Sequence, residues 1–334
     1  MKKSILSAVI TVASAVSACA YSSLFASASA DDFHYVTSPD GTGINILSYG
    51  GTGPEMVIPD TIDGLPVKLI NTNAFKSNLD ITGVKIPDTV IAISTGAFEG
   101  CSNLKSIKLP SSLTKLYTFA FSECRALESV TFGDNVTTIE RYAFQLCTGL
   151  KEISIPGSVK TIADHTFQSC TGMKRITFEE GVQTIEADAM LNATSLERVY
   201  FPSTIQSIGD HAIGYTYFDP DYTALSPVIF GYSATPASTY AVLNGFEFYP
   251  FNKGDVNGSN DITPVDASIV LSEYASKMTG QGITISKEQF TLADVNGDGA
   301  LTPTDASEIL SCYAYKATGG NLHTCDYFYN LSSE

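Results

Sequence analysis

The feature that most constrains the fold is a 23-residue repeat through the middle of the chain. An Ala-Phe pair recurs at this spacing and later varies without losing register: Ala74-Phe75, Ala97-Phe98, Ala120-Phe121, Ala143-Phe144, Thr166-Phe167, Ala189-Met190 and Ala212-Ile213. A constant period of about 20 to 29 residues indicates a solenoid in which each repeat forms one coil. One coil cannot bury its own apolar face, so stacking between neighbours must stabilise the array.

Each repeat also contains a Leu-x-x-Ile-x-Leu block that predicts a short strand. In one repeat the predicted core residues are Leu104, Ile107 and Leu109 from the strand and Leu113, Leu116, Ala120 and Phe121 from the convex side. This pattern, over about residues 58–213, resembles the bacterial surface (BspA-like) leucine-rich repeat found in adhesins of oral and gut bacteria. The resemblance implies a β-rich leucine-rich-repeat solenoid, but it implies little about the ligand.

Four cysteines follow the same period, namely Cys101, Cys124, Cys147 and Cys170. We interpret them as a packing column, because a buried thiol behaves as a small hydrophobic group and the column also holds Asn78 and Ala193. Cys312 and Cys325 lie near the end of the chain. They could form a disulfide in an exported protein or remain free thiols, and the sequence leaves both alternatives open.

A second duplication follows the repeats. Residues 294–305 place oxygen-bearing side chains at loop positions 1, 3, 5 and 12, with Gly299 at the sharp turn, a spacing that lets a short loop wrap one Ca²⁺. Residues 255–266 form a related loop. A nearly identical amphipathic segment begins at Asp266 and again at Asp305, which predicts two loop–helix units.

Two such units ending in Asp instead of the EF-hand Glu resemble a type I dockerin, the small all-α calcium-binding module that attaches proteins to cohesin domains of a cellulosome scaffold. The closest resemblance is to dockerins of rumen fibre-degrading bacteria, and it covers about residues 251–320. It implies two Ca²⁺ ions, held by Asp255, Asn257, Ser259, Asp261 and Asp266 in the first loop and by Asp294, Asn296, Asp298, Ala300 and Asp305 in the second. It also implies that cohesin contacts Pro264, Val265, Leu271 and Ser272 or their duplicates Pro303, Thr304, Leu310 and Ser311.

The first loop departs from the dockerin pattern at two positions. Ser259 replaces the usual Asp, and Asn260 replaces the usual Gly. Asn tolerates a left-handed turn, whereas a lost carboxylate weakens Ca²⁺ binding. We therefore expect the second loop to bind calcium more tightly than the first.

The beginning of the chain predicts export. Lys2 and Lys3 precede an apolar run, and Ala-Ser-Ala before Asp31 has the small-residue form of a signal-peptidase site, so residues 1–30 are interpreted as a signal peptide. The alternative is a lipid-anchored surface adhesin acylated at Cys19. No later stretch is long and apolar enough for a transmembrane segment. Both readings predict an extracellular location, associated with a cellulosome or the cell surface.

The remaining segments are shorter. Residues 31–57 alternate apolar and polar side chains around Gly-rich turns, which predicts an N-terminal cap that shields the first coil. The 23-residue period fails in residues 214–250, where we expect a C-terminal cap with little linker before the dockerin-like region. Residues 321–334 form a tail.

Charge and composition narrow the function. The formal net charge of −16 becomes −18 when Lys2 and Lys3 are removed, and such an acidic chain is not expected to bind nucleic acid. The histidines form no paired-His zinc motif, and no nucleophile–base constellation stands out. We therefore expect a binding protein rather than an enzyme. An unrecognised polysaccharide-degrading enzyme stays as an alternative.

The outward positions of the predicted strands are locally basic. Of 18 such positions seven are basic and three acidic, a net charge of +4. The candidate ligand face comprises Lys85, Lys105, Lys108, Lys151, Lys174, Arg175, Arg198 and Tyr200. One interpretation is simple solvation of the strands. The other is attraction of an anionic polysaccharide or an acidic protein patch by the focused positive potential.

Overall fold

The computed structural model describes residues 26–27, 29–218, 220–232, 235–250, 253–259, 261–285 and 287–318. Cys19, most of the predicted signal peptide, Cys325 and the tail 321–334 lie outside the described residues. The chain divides into two compact units. The first is Met1–Val228 with Leu243–Phe246, and the second is Ile229–Val242 with Glu247–Glu334.

The first unit is a solenoid of 23-residue coils, as the period predicts. Each coil places one short strand in a parallel array, here called the first sheet, which corresponds to the predicted concave face. Its strands are β1 (Ala26–Ser27), β4 (Glu55–Val57), β7 (Gly83–Lys85), β9 (Ser106–Lys108), β11 (Ser129–Thr131), β13 (Glu152–Ile155), β15 (Arg175–Phe178) and β17 (Arg198–Tyr200). From β7 to β11 and again from β13 to β17, paired residues are 23 apart, so Lys85 lies beside Lys108 and Lys108 beside Thr131. The strand pairing is interrupted between β11 and β13, and β1 and β4 pair at longer spacings of 30 and 28 residues. Equivalent residues of successive coils therefore form straight columns.

A second sheet lies on another side of every coil. It begins with the antiparallel pair β2 (Phe33–Thr37) and β3 (Ile44–Tyr49), and continues in parallel through β6 (Leu65–Ile70), to which β5 (Thr61–Ile62) pairs antiparallel. Its later strands have two residues each: β8 (Ala92–Ile93), β10 (Lys115–Leu116), β12 (Thr138–Ile139), β14 (Thr161–Ile162), β16 (Thr184–Ile185) and β18 (Ser207–Ile208). Core residues such as Leu116 were predicted at these two-residue strands, but the strands themselves were not predicted.

The core between the sheets is built from columns of identical residues. The rings of Phe75, Phe98, Phe121, Phe144 and Phe167 stack nearly parallel, with successive centroids 4.8, 5.2, 5.6 and 5.5 Å apart. All five side chains are buried. The Ala-Phe repeat thus supplies one continuous aromatic stack that runs from coil to coil.

The repeated cysteines pack beside this stack. Each thiol is fully buried and donates to a backbone carbonyl 26 residues earlier: Cys101 to Phe75, Cys124 to Phe98, Cys147 to Phe121 and Cys170 to Phe144, at 3.1 to 3.2 Å. Burial raises the pKa of the Cys101 and Cys170 thiols to about 12. These cysteines are packing residues without disulfides, and their raised pKa keeps the thiols protonated.

Each full coil turns at two residues in the left-handed backbone region. The first column with positive φ includes Gly96, Phe119, Tyr142, His165, Asp188 and His211, and the second includes Ser77, Gly100, Glu123, Leu146, Ser169 and Asn192. In the first column the rings of Phe119 and Tyr142 stack with centroids 4.9 Å apart, and the His165 ring lies tilted against Tyr142 at 5.0 Å. Few of these residues are the glycines that this conformation favours.

Beyond the last coil, β19 (Tyr215–Phe218) and β20 (Asp221–Ala224) form an antiparallel hairpin, and the ring of Tyr222 stacks 3.7 Å from that of His211. β21 (Val228–Gly231) pairs in parallel with β22 (Phe248–Pro250), and α1 (Pro236–Asn244) connects them. The helices α2 (Pro264–Met278), α3 (Lys287–Ala293) and α4 (Pro303–Ala317) complete the second unit. Their shared core consists of Val256, Ile262, Ala267, Val270, Ala293, Val295, Leu301, Ala306, Ile309 and Cys312.

Candidate calcium loops and binding faces

The two predicted loops lead into α2 and α4 through the same capping arrangement. Thr263 caps α2, and Asp266 accepts hydrogen bonds from the Thr263 N–H and hydroxyl at 2.9 Å each. Thr302 and Asp305 repeat this capping box in α4. Asp at the last loop position therefore has a structural reason, because it lies in the third residue of the helix, where a carboxylate satisfies free backbone N–H groups.

The last loop residue also reaches back to the beginning of its loop. In the second loop, Asp305 accepts from the N–H of Val295 at 3.1 Å, and in the first loop Asp266 accepts from Val256 at 2.9 Å. Asp266 and Asp305 are both fully buried. Each loop is thus closed around a buried carboxylate.

The second loop gathers its oxygens around the left-handed residues Gly297 and Gly299. Asp294 accepts from the N–H groups of Asp298 at 3.1 Å and Gly299 at 2.9 Å, and Asn296 accepts from Asp298 at 3.0 Å. Burial raises the pKa of Asp294, and the nearby carboxylates of Asp305 and Asp298 raise it further. A divalent cation would relieve this crowding of negative charge.

This donor set of carboxylate, amide and carbonyl oxygens fits Ca²⁺, which prefers oxygen ligands. In the described part of the chain, no three His, Cys, Asp or Glu side chains are clustered closely enough to hold a metal ion by themselves. The residues that would hold the ion in this loop are Asp294, Asn296, Asp298, Asp305 and the Ala300 carbonyl.

The first loop has fewer free oxygens. The Ser259 hydroxyl donates to the Asp261 carbonyl at 3.0 Å, so it occupies the oxygen that the dockerin pattern assigns to the ion. The Asp261 side chain points outward, where it accepts from the Lys316 ammonium at 2.7 Å. Of the Asp261 oxygens, the backbone carbonyl is therefore the one left for an ion, and the Ser259 hydroxyl competes for it. Asn260 lies outside the described residues.

Two charged residues near the second loop were not predicted from the sequence as part of the site. Lys253 is buried, and burial lowers the pKa of its ammonium while Asp294, Asp305 and Glu308 oppose this shift. Glu308, which replaces Ile269 of the first copy, has a buried carboxylate oxygen without a hydrogen-bond partner among the described residues. A deviation between the two helix copies was visible in the sequence and could have drawn attention to Glu308.

The residues expected to contact cohesin all lie on the surface of the helices that follow the loops. Val265, Leu271 and Leu310 expose 57%, 44% and 41% of their surface. Pro264, Ser272, Pro303, Thr304 and Ser311 are exposed as well. Each copy thus presents two aliphatic or small residues at the helix start and a Leu-Ser pair two turns later.

The basic residues of the first sheet share three columns. Lys85 and Lys108 are neighbours in register, and Arg175 and Arg198 are neighbours in the next column. The five lysines of the candidate ligand face are exposed, and the two arginines are half-buried. Lys174 pairs with Glu197 at 3.1 Å, an exposed pair of little strength.

Two residues change the composition predicted for this face. Tyr200 is only 6% exposed, because its ring packs into the unit with the Arg175 guanidinium 5.8 Å from its centroid, so it offers little surface for stacking on a ligand. Glu55 was missed, although its strand β4 pairs with β7 and its carboxylate accepts from the Thr82 hydroxyl at 2.9 Å. Glu55 adds a fourth acidic group, so the positive charge of the face lies mainly on the coils after β4.

Family comparisons agree with this division of the chain. Residues 68–186 and 112–218 match the BspA type leucine rich repeat region, in six copies, and residues 253–310 match the dockerin type I domain. The chain therefore contains a BspA-type leucine-rich-repeat region and a type I dockerin domain. Both are non-catalytic modules, and type I dockerin domains bind calcium and have cohesins as partners.

Solved structures with a similar fold are bacterial leucine-rich-repeat proteins. A leucine rich repeat protein of T. pallidum is 29% identical, with a TM-score of 0.52 over 55% of this chain and 85% of that one. A leucine rich cell surface protein of Faecalibacterium prausnitzii is 25% identical, with a TM-score of 0.49 over 60% of this chain and 62% of that one. No curated protein matches the chain. No helix in the described ranges is long and apolar enough to cross a membrane.

Proposed function

We propose that this protein is a secreted, non-catalytic binding subunit that a cohesin anchors to a cellulosome scaffold in the presence of Ca²⁺. The observation that carries this proposal is the duplicated loop–helix unit, in which both copies have the same closed loop, the same capping box and the same exposed helix positions. Two ions are proposed, one for each loop, with the tighter site in the second.

The cohesin interface would be apolar. The candidate contacts are aliphatic, proline or small hydroxyl side chains, and charged residues are absent from these eight positions. Isothermal titration of the full chain against cohesin domains should give binding that EGTA abolishes. Raising the salt concentration from about 0.1 to 1 M, which shortens the Debye length from about 10 to 3 Å, should change the affinity little. A steep loss of affinity in high salt would contradict an apolar interface.

The proposed ligand of the solenoid is an anionic polysaccharide bound at the basic columns of the first sheet. In the described part of the chain, Lys85, Lys105, Lys108 and Lys151 form no ion pair, so their charge is available to a ligand. The mature chain is otherwise strongly acidic, which makes this local potential distinctive. An acidic protein patch would satisfy the same charges, but the face has no apolar centre of the kind that stable protein interfaces need.

Retention on immobilised polysaccharides tests this proposal. The wild-type chain should be retained on acidic wall polymers at low salt, released at high salt, and not retained on neutral polymers. Lys105→Glu with Lys108→Glu should abolish retention, while Lys277→Glu, an exposed lysine at the end of α2, controls for the general loss of positive charge. Retention that is unchanged by high salt and by the double substitution would refute a binding site on this face.

A further inference from the structure

The second sheet has a notch where one coil lacks a side chain that its neighbours use. Directly after the two-residue strand, Glu140 accepts hydrogen bonds from the N–H and hydroxyl of Thr118, at 3.0 and 2.9 Å. Glu186, two coils later, accepts from the N–H of Asp164 at 3.0 Å. In both places a glutamate of one coil caps the backbone of the preceding coil.

The coil between them has Ala163 at this position. The backbone N–H that a glutamate there would cap belongs to Arg141, and it has no acceptor among the residues that the structure describes. A cavity of about 430 Å³ opens at this point, lined by Arg141, Lys160 and Ala163 together with threonine side chains. Gly209 also lacks a carboxylate, but a Cβ atom there would lie 2.5 Å from the Ala187 nitrogen, so that coil leaves no comparable room.

The groups around the notch suit a carboxylate bound to a hydroxylated ring. The hydroxyls of Thr138 and Thr161 line the cavity from adjacent strands and have no hydrogen-bond partner in the described part of the chain. The Lys160 ammonium donates only to the carbonyls of Gly157 and Gly181, at 2.9 and 3.1 Å, and its side chain is exposed. The cavity therefore offers free hydroxyl groups and has a cation among the residues that line it.

The acidic residues of the notch are already neutralised. Glu140 pairs with the Lys115 ammonium at 2.9 Å, and this bond together with those from Thr118 lowers its pKa against the effect of burial. Asp164 pairs with the Arg141 guanidinium and accepts from His165. An incoming carboxylate would thus meet no unpaired negative charge in the cavity.

We propose that this notch binds the carboxylate of a uronic acid residue, with the ligand taking the place of the missing glutamate. The Arg141 N–H would donate to the carboxylate, Thr138 and Thr161 would bind ring hydroxyls, and the Lys160 ammonium would add longer-range attraction for the anion. The room and the free hydroxyls favour a sugar ring over the narrow side chain of an acidic peptide. This inference rests on the proposed polysaccharide-binding role of the solenoid, but it places a site on a different sheet.

The test is Ala163→Glu in the calcium-loaded full chain, because that substitution supplies the carboxylate from the protein itself. It should raise or preserve the melting temperature, since it adds the cap that Glu140 and Glu186 provide. Its affinity for a galacturonate trimer in calorimetry should fall roughly tenfold or more, the contribution of one charge-assisted hydrogen bond. Lys277→Glu makes the chain more acidic at the end of α2, away from the cavity lining, and should bind as the wild type does.

Several results would overturn the inference. They are unchanged binding by a folded Ala163→Glu variant, equal binding of a neutral cellotriose, or tighter binding of a pentaglutamate peptide than of the uronate. The Lys105→Glu, Lys108→Glu variant separates the two proposals. If the double lysine variant loses uronate binding and Ala163→Glu does not, the notch proposal is refuted and the first-sheet site is supported. If Ala163→Glu loses binding and the double lysine variant does not, the notch is supported and the first-sheet site is refuted.

Discussion

The solenoid and the dockerin domain were both made by duplication, yet the two regions use their copies in opposite ways. In the solenoid, the coils contribute short strands to two sheets, and five of them add a phenylalanine and four a thiol to columns that continue into the next coil. In the dockerin, two copies share one small core, and each adds a loop rich in buried carboxylates. The stacked coils of the solenoid stabilise one another by packing, whereas the dockerin loops bring carboxylates together and need a cation to offset their repulsion.

The largest expected difference is the response to calcium removal. EGTA should unfold α2 and α4 and leave the solenoid intact, because only the dockerin has carboxylates crowded in its loops. An ion present at about 1,000 times its Kd stabilises the folded state by about 4 kcal/mol, a large part of the stability of so small a domain. Thermal unfolding followed by circular dichroism should show two transitions, of which only one moves with calcium. A single transition that shifts as a whole with calcium would show that the two regions do not differ in their dependence on the ion.

The next largest expected effect is the loss of stability when a cavity is created in the aromatic stack. Phe121→Ala should lower the free energy of unfolding by about 3 to 5 kcal/mol, since the ring is fully buried between Phe98 and Phe144. Leu79→Ala is the matched control, because that side chain belongs to the same solenoid and is 57% exposed, and its loss should change stability by under about 0.5 kcal/mol. Urea titration of both variants would measure the difference. Comparable losses would contradict the column account of the core.

The two calcium loops should differ in a smaller but measurable way. Asp294→Ala should remove the tighter site and Asp255→Ala the weaker one, because the Ser259 hydroxyl already occupies the Asp261 carbonyl. Calcium titration should therefore detect a weak site in the Asp294→Ala variant and a strong site in the Asp255→Ala variant. Ser259→Asp restores the carboxylate and should strengthen the first loop. Equal affinities in the two alanine variants would show that the serine is irrelevant.

The buried thiols predict a loss of stability that is small near pH 9 and grows as the pH rises further. Free thiols ionise near pH 9, whereas the folded Cys101 and Cys170 have a pKa of about 12, so the unfolded state loses its protons first. The free energy of unfolding should fall as the pH rises from 9 towards 12, at up to about 1.4 kcal/mol per pH unit for each thiol. Cys101→Ala with Cys170→Ala should reduce this slope by about half in pH-dependent urea titrations, because burial also raises the pKa of the Cys124 and Cys147 thiols. An unchanged slope would mean that the thiols are not responsible.

Sequence periodicity predicted the columns but not everything that follows from them. The spacing of the Ala-Phe pairs identified the stack, since residues one period apart must become neighbours. The two-residue strands of the second sheet, such as Lys115–Leu116, were missed because they are too short to show any alternation. The left-handed turns were missed because Phe119 and Leu146 are not residue types that indicate positive φ.

The dockerin loops were accessible from sequence because the chemistry of Ca²⁺ fixes the spacing of oxygen atoms. Side-chain direction was not accessible in the same way. Asp261 points to Lys316 and Tyr200 is buried, and both outcomes depend on contacts made far along the chain or in neighbouring coils. The notch at Ala163 was also invisible, because an alanine becomes informative only when Glu140 and Glu186 are seen to cap the coils on either side.

The central claim, a calcium-dependent dockerin whose two copies each present a cohesin-binding face, has one direct test. Cohesin binding should be measured by calorimetry for Leu271→Arg, for Leu310→Arg and for the variant with both substitutions, each with and without calcium. Either single variant should bind cohesin through its intact copy with nearly wild-type affinity, and the double variant should not bind. Loss of binding in one single variant, or binding that persists in EGTA, would contradict the account.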